Sequence, residues 1–221
     1  MSSRIIRRDS TLSFACVRCG RCCHDQAIQL NGYEIARLAR GLGLCTAETI
    51  ARYTTGGGQF LRFDGDGACG LLRAKGCAVH ADRPLACRLY PLGRELDETG
   101  RESFVPLTPH PLCAGQVEPP VTPQVGPAAE ATIAHFLEGQ GAGPFLLAFD
   151  LYQEAALRFL ALPAPARASA VRRLEWFNQD LALANGGLDV LPLEPWRKLE
   201  MHLDCLALIM GQAESEAPPP A

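Results

Sequence analysis

No run in this 221-residue chain approaches the roughly 18 uninterrupted apolar residues of a transmembrane helix. The N-terminus, Met-Ser-Ser-Arg-Ile-Ile-Arg-Arg-Asp-Ser, has charge but no apolar segment and no small-residue cleavage site. Arg7-Arg8 is followed by Asp9 and Ser10, a poor twin-arginine signal. The expected location is therefore the cytoplasm, away from membranes, where thiols stay reduced. A P-loop, a dinucleotide-binding glycine pattern and an H-E-x-x-H helix are all missing, which removes the nucleotide-, NAD- and zincin-type readings. Aromatic residues make up only 7% of the chain, and the basic residues neither form a run nor alternate with aromatics. Nucleic acid is accordingly not an expected partner.

Cysteine is what the chain does have: ten of them, nine lying between residues 16 and 113, of which all but Cys45 make up one spaced set. The leading block is Cys16-Val-Arg-Cys19-Gly-Arg-Cys22-Cys23, followed by Cys69, Cys77, Cys87 and Cys113. Two C-x2-C steps sharing Cys19 make a tight turn that can point three sulfurs at one place, as a tetrahedral zinc or an iron–sulfur cluster requires. Gly20 relieves the backbone where this loop bends back. A disulfide scaffold is the competing reading. It is disfavoured by the missing export signal and by the adjacency of Cys22 and Cys23. Because successive side chains of an extended strand point to opposite sides, Cys22 and Cys23 are expected to serve different centres, or one of them to bridge.

Charge follows the cysteines. Residues 1–115 hold fifteen Lys and Arg against eleven Asp and Glu, whereas residues 116–221 hold six against thirteen. Eight thiolates on two divalent ions carry a charge of about −4. Arg18, Arg21, Arg83 and Arg88, next to the cysteines in sequence, are placed to offset it. In Asp82-Arg83-Pro84-Leu85-Ala86-Cys87, Asp82 is expected to cap a helix that Pro84 begins, so that Cys87 sits near a helix N-terminus.

The fold expected is α+β and mainly helical. Residues 1–115 form an irregular metal-organised cysteine-cluster domain with short helices and hairpins. Residues 116–127 are a Pro-rich connector, residues 128–211 a C-terminal helical bundle, and residues 212–221 a disordered tail. Ile35, Leu38, Ala39 and Leu42 recur at helical spacing behind Asn31, with Glu34 placed for a capping box and Gly43 at the end. A second short helix is predicted over 46–53. Hairpins are predicted for 59–63 with 68–72, around Asp64-Gly65-Asp66-Gly67, and for 89–96 with 102–107. Asp64 and Asp66 lack the other ligands of a calcium loop and read as a turn. Helices are predicted over 144–160, 167–184 and 194–210, with a weaker one over 128–137, and their aromatic stripes read as core.

The blocks Phe14-x-Cys16-x2-Cys19-Gly-x-Cys22-Cys23, Cys69-Gly-Leu-Leu, and Cys77-Ala-Val-His80-Ala-Asp-Arg83-Pro84-x-x-Cys87-Arg88-Leu-Tyr90-Pro91 resemble the bacterial C-x2-C-x2-C-C cysteine-cluster family of zinc- or iron-chelating domains. The resemblance covers about residues 14–113 and implies that all eight matching cysteines belong to the metal site. The sequence departs from the pattern at His80, where an aromatic such as tyrosine is usual. A related cysteine signature in flagellin lysine methylases implies an alternative reading as an iron–sulfur protein-modifying enzyme. A third reading is a zinc-stabilised interaction module whose acidic helical region docks a protein partner.

The metal candidates are thus Cys16, Cys19, Cys22, Cys23, Cys69, Cys77, Cys87 and Cys113. C-x2-C-x2-C also matches the first three ligands of a bacterial four-iron cluster, although Cys87 with Pro91 is not the C-P ending of the ferredoxin run. The balance leans to an iron–sulfur cluster or iron, with zinc close behind. His24 and His110 could replace a thiolate or donate a hydrogen bond to one, and His80 is open as a ligand. Cys45 and Cys205 are expected to be small buried hydrophobes, and His135 and His202 surface or interface residues.

Overall fold

The computed structural model describes residues 6–12, 14, 16–108, 111–115, 132–187 and 193–217. Among these are eight α-helices and three two-stranded antiparallel sheets, a mainly helical α+β fold. Chain contacts divide it into two compact units: Met1–Ile28 with Phe63–Pro144, and Gln29–Arg62 with Phe145–Ala221. Residues 29–62, grouped by sequence position with the cysteines, thus pack with the C-terminal helices.

The second unit opens with α1 (Gly32–Leu42). The Asn31 side chain accepts from Glu34 N at 3.0 Å, Asn31 N donates to Glu34 Oε2 at 2.9 Å, and Gly43 ends the helix at φ 67°. Helix α2 (Thr46–Tyr53) follows, capped by Cys45, whose sulfur accepts from Glu48 N at 3.4 Å. Cys45 is therefore an exposed helix cap and not the small buried hydrophobe expected. Strands β1 (Thr54–Thr55) and β2 (Phe60–Leu61) pair next. The unit is completed by α5 (Gly143–Ala161, from Phe145 onward), α6 (Ala164–Ala170), α7 (Gln179–Asn185) and α8 (Pro195–Ser215). Helix α8 packs on α1, α6 and α7, burying Ile35, Leu38, Phe145, Leu183, Leu199, Leu206 and Met210 almost completely. Phe149, by contrast, is 40% exposed, so the α5 stripe is only partly core. Helix α8 runs on to Ser215 because Ala213 is buried, which puts helix where the sequence reading begins its tail.

The single helix expected over 167–184 is two. Asn178 ends the intervening turn by accepting from Leu181 N at 3.2 Å and from the Thr46 hydroxyl at 2.7 Å. Side-chain capping of this kind competes with helix continuation, and here a distant threonine helps to fix it. Gln179 is thereby turned inward, where its Nε2 donates to Tyr152 Oη at 2.8 Å. Tyr152 Oη lies 2.7 Å from His202 Nδ1, and His202 Nε2 lies 2.6 Å from Glu175 O. His202 is fully buried, contrary to the surface position expected, because two partners satisfy its ring.

Burial pushes His202 down to about 4. Its folded value lies below its unfolded one of about 6.5, so the unfolded chain binds more protons between the two values and stability falls as pH drops through that window. Acidification from pH 7.5 to 5 should cost about 2 kcal/mol from this group. Both tryptophans lie in the second unit, so urea unfolding followed by their fluorescence measures the effect. His202→Gln should flatten the pH slope, and an unchanged slope would contradict the assignment.

The first unit holds the short strands β3 (Leu72–Arg73) and β4 (Gly76–Cys77), α3 (Leu85–Leu89), the hairpin β5 (Leu92–Leu96) and β6 (Glu102–Pro106), and α4 (Ile133–Gly139). The β5–β6 hairpin pairs Leu92 with Pro106 and turns on Asp97, whose Oδ1 accepts from Thr99 N and Arg101 N at 2.8 and 3.0 Å. The other predicted hairpin survives as one bridge, Phe63 to Cys69, around the Asp64 turn, while its flanking residues pair elsewhere. Ile6 bridges to Phe104, and the Phe14 ring meets Tyr90 and Phe136 edge-on, both at 6.1 Å between centroids. The connector at 116–127 and residues 128–131 lie outside the described residues.

Candidate metal centre

Gly20, at φ 74°, opens a short 3-10 turn, Arg21–Cys23, closed by Cys23 N donating to Gly20 O at 3.0 Å. A Cβ at Gly20 would also sit 3.1 Å from Leu72 Cδ1, so sterics and the left-handed backbone both call for glycine. The turn corrects the expectation that Cys22 and Cys23 point apart, which assumed an extended backbone. Here the two thiols hydrogen-bond to each other. That bond holds Cys22 down near 7 and drives Cys23 well above the ordinary thiol range.

Backbone pairing brings the next cysteines alongside. Cys69 N donates to Cys23 O and Asp25 N to Gly67 O, both at 2.8 Å, and His24 bridges to Ala68. The chain turns at Cys69 and pairs Leu72 with Cys77. Cys87 lies in α3, as expected, but the residue preceding that helix is Pro84, which offers no side-chain cap. Asp82 instead sits buried in a 3-10 turn, His80–Asp82.

Seven of the thiols influence one another. Cys19 hydrogen-bonds to Cys113, Cys23 senses the charges of Cys69 and Cys87, and Cys77 senses Cys22. Burial pushes Cys69, Cys77 and Cys113 up. Cys19 is lowered, first by a backbone hydrogen bond from Arg21. Cys16 joins the group through Arg83, whose guanidinium senses Cys16, Cys87 and Cys77. Cys69 is buried, Cys16 and Cys19 are exposed, and the rest are half-buried. Among the described residues no disulfide joins these cysteines, and no three His, Cys, Asp or Glu side chains converge closely enough to hold an ion. The donor set fits zinc or iron by its chemistry: soft thiols in one neighbourhood, beside a buried guanidinium whose charge favours the ionised form of Cys22 and Cys77.

The two buried arginines build the wall that carries Cys77 and Cys87. Arg83 donates to His80 O at 2.6 Å and to Gln140 Oε1 at 2.6 Å. Arg88 donates to Arg83 O, Gln140 O and Ala81 O at 3.0, 2.7 and 2.6 Å. Of the arginines nominated to offset thiolate charge, Arg83 does face the cysteines, whereas Arg88 ties down the loop. Gln140 had no signal in the sequence, because it lies 57 residues from Arg83. His80 Nδ1 is 3.2 Å from Arg83 Nη1, and burial together with that cation pushes the imidazole down to about 4. Its ring is therefore neutral and held in the turn. His24 is half-buried beside Cys23, and His110 lies outside the described residues. Cys205 is half-buried in α8, and burial pushes its thiol up.

Residues 15–105 match the model of a family described as "CxxCxxCC: Putative zinc- or iron-chelating domain". The matched stretch contains seven of the eight candidate ligands; Cys113 lies beyond it, yet its thiol meets Cys19. Comparison with curated proteins and with solved structures gave no match. No helix among the described residues is long and apolar enough to cross a membrane.

Proposed function

We propose that the chain chelates iron, as a cluster or as the ion, or zinc, through Cys16, Cys19, Cys22, Cys23, Cys69, Cys77, Cys87 and Cys113. The observation that carries this reading is the pair of thiol–thiol hydrogen bonds, Cys19 with Cys113 and Cys22 with Cys23, within one charge-coupled group. A bound ion replaces the shared protons of such pairs, since thiolate and not thiol is the ligand. Partial exposure of Cys16 and Cys19 gives the ion a way in. Arg83 offsets the charge left after binding.

Serine variants test the assignment, because an alcohol is a poor substitute for a thiolate. Each of the eight is expected to reduce the metal bound per chain, while Cys45→Ala and Cys205→Ala keep it. Full retention in Cys87→Ser would contradict the ligand set.

The Cys22–Cys23 contact adds a sharper expectation. Sulfurs that share a proton are close enough to serve one indivisible centre. Cys22→Ser and Cys23→Ser should each therefore empty the whole site. Metal stoichiometry reads this directly, and partial retention in either variant would restore the picture of two separable centres.

A further inference from the structure

The second unit contains a pocket of about 360 Å³ between the start of α1, the middle of α5 and residues 176–177. Its volume falls within the range of small-molecule sites. We propose that this pocket binds an organic ammonium ion that also carries a hydroxyl or carbonyl oxygen.

Four aromatic side chains, Phe149, Tyr152, Trp176 and Phe177, line the pocket, and aromatic faces attract cations through their quadrupoles. Glu34 lines it too and is only 3% exposed, so its carboxylate acts in a medium that screens charge weakly. An anion would be repelled here, and an apolar ligand would seal Glu34 against hydrocarbon. Asn31 supplies the polar complement. Its Oδ1 accepts from Glu34 N, which fixes the amide's orientation, and its Nδ2 is buried with no hydrogen-bond partner among the described residues. That donor calls for an acceptor oxygen on the ligand.

The walls are fixed in advance. Tyr152 is held between Gln179 and His202, and Gly32 packs so close that a Cβ there would collide with its hydroxyl. Gly58, at φ 112°, makes the same room for Phe177, whose Cβ would lie 2.6 Å from an added Cβ. Two glycines thus admit two of the four aromatic walls. The charge of Glu34, after burial, also raises the Tyr152 phenol, which places the carboxylate's field at that wall.

Calorimetric titration of the full chain tests the proposal with four probes: choline, tetramethylammonium, n-butylammonium and 3,3-dimethylbutan-1-ol, the neutral carbon isostere of choline. Choline should bind at least about tenfold more tightly than the isostere, from which it differs only in charge. Tetramethylammonium, lacking the oxygen for Asn31, should bind a few-fold more weakly than choline. Glu34→Gln keeps a glutamine able to complete the capping box and should weaken choline about tenfold. If that variant is misfolded by circular dichroism, the choline–isostere comparison on the unaltered chain decides alone. Equal binding of choline and its isostere, or no heat from any ammonium probe at millimolar concentration, would overturn the proposal.

Discussion

Stripping the metal should unravel the cysteine-bearing part of the first unit and leave the second unit folded. Residues 16–28 and 63–88 bury few apolar side chains, namely Ile28, Leu71, Val79 and Leu85 besides Cys69. Their regular elements within the first unit are two-residue strands, 3-10 turns and the five-residue α3. Metal binding to thiolate sites contributes on the order of 10–16 kcal/mol, comparable to the entire stability of a domain. The second unit needs no such help, because α8 buries Leu199, Leu206 and Met210 against helices of its own unit. Trp176 and Trp196 both report on that unit. On chelation, limited proteolysis mapped by mass spectrometry should show new cuts within 16–28 and 63–88, while tryptophan fluorescence stays native. Undiminished protease resistance of those segments in metal-free protein would contradict the coupling.

The second large effect is expected at Arg88. It is 4% exposed and donates to Ala81 O and Arg83 O, in the turn between Cys77 and Cys87, and to Gln140 O at the end of α4. Arg88→Ala leaves those acceptors unsatisfied and opens a void where the guanidinium stood. A loss of about 3–5 kcal/mol follows from the two costs together. Arg88→Lys should recover little, since a single ammonium cannot span three divergent acceptors as the planar fork does. Thermal unfolding followed by far-ultraviolet circular dichroism checks this, with metal content measured below the transition. A change within about 0.5 kcal/mol, the usual range for surface substitutions, would show that the carbonyls find other donors.

Where a structure depends on neighbours in sequence, it was legible. Asn31, Glu34 and Gly43 start and stop α1 within twelve residues, and Asp97 closes its own hairpin, so both could be read locally. The break between α6 and α7 could not, because Asn178 is completed by Thr46, 132 residues away. His202 was misplaced for the same reason: its burial depends on Tyr152 and Glu175, each distant in the chain. At the candidate metal centre, spacing nominated eight cysteines and adjacent charge nominated Arg83. Spacing misjudged Cys22 and Cys23, since it presumed an extended backbone where Gly20 sets up a turn. The links of Arg83 and Arg88 to Gln140 are long-range and left no local trace.

The central claim, that these cysteines chelate iron or zinc, is tested most directly by elemental analysis with visible absorption on the full chain purified without oxygen. The account predicts iron or zinc in fixed proportion to the chain, with visible absorption if the metal is an iron–sulfur cluster and none if it is zinc. Protein that is folded, reduced and free of both metals, and that takes up neither when they are supplied, would contradict it.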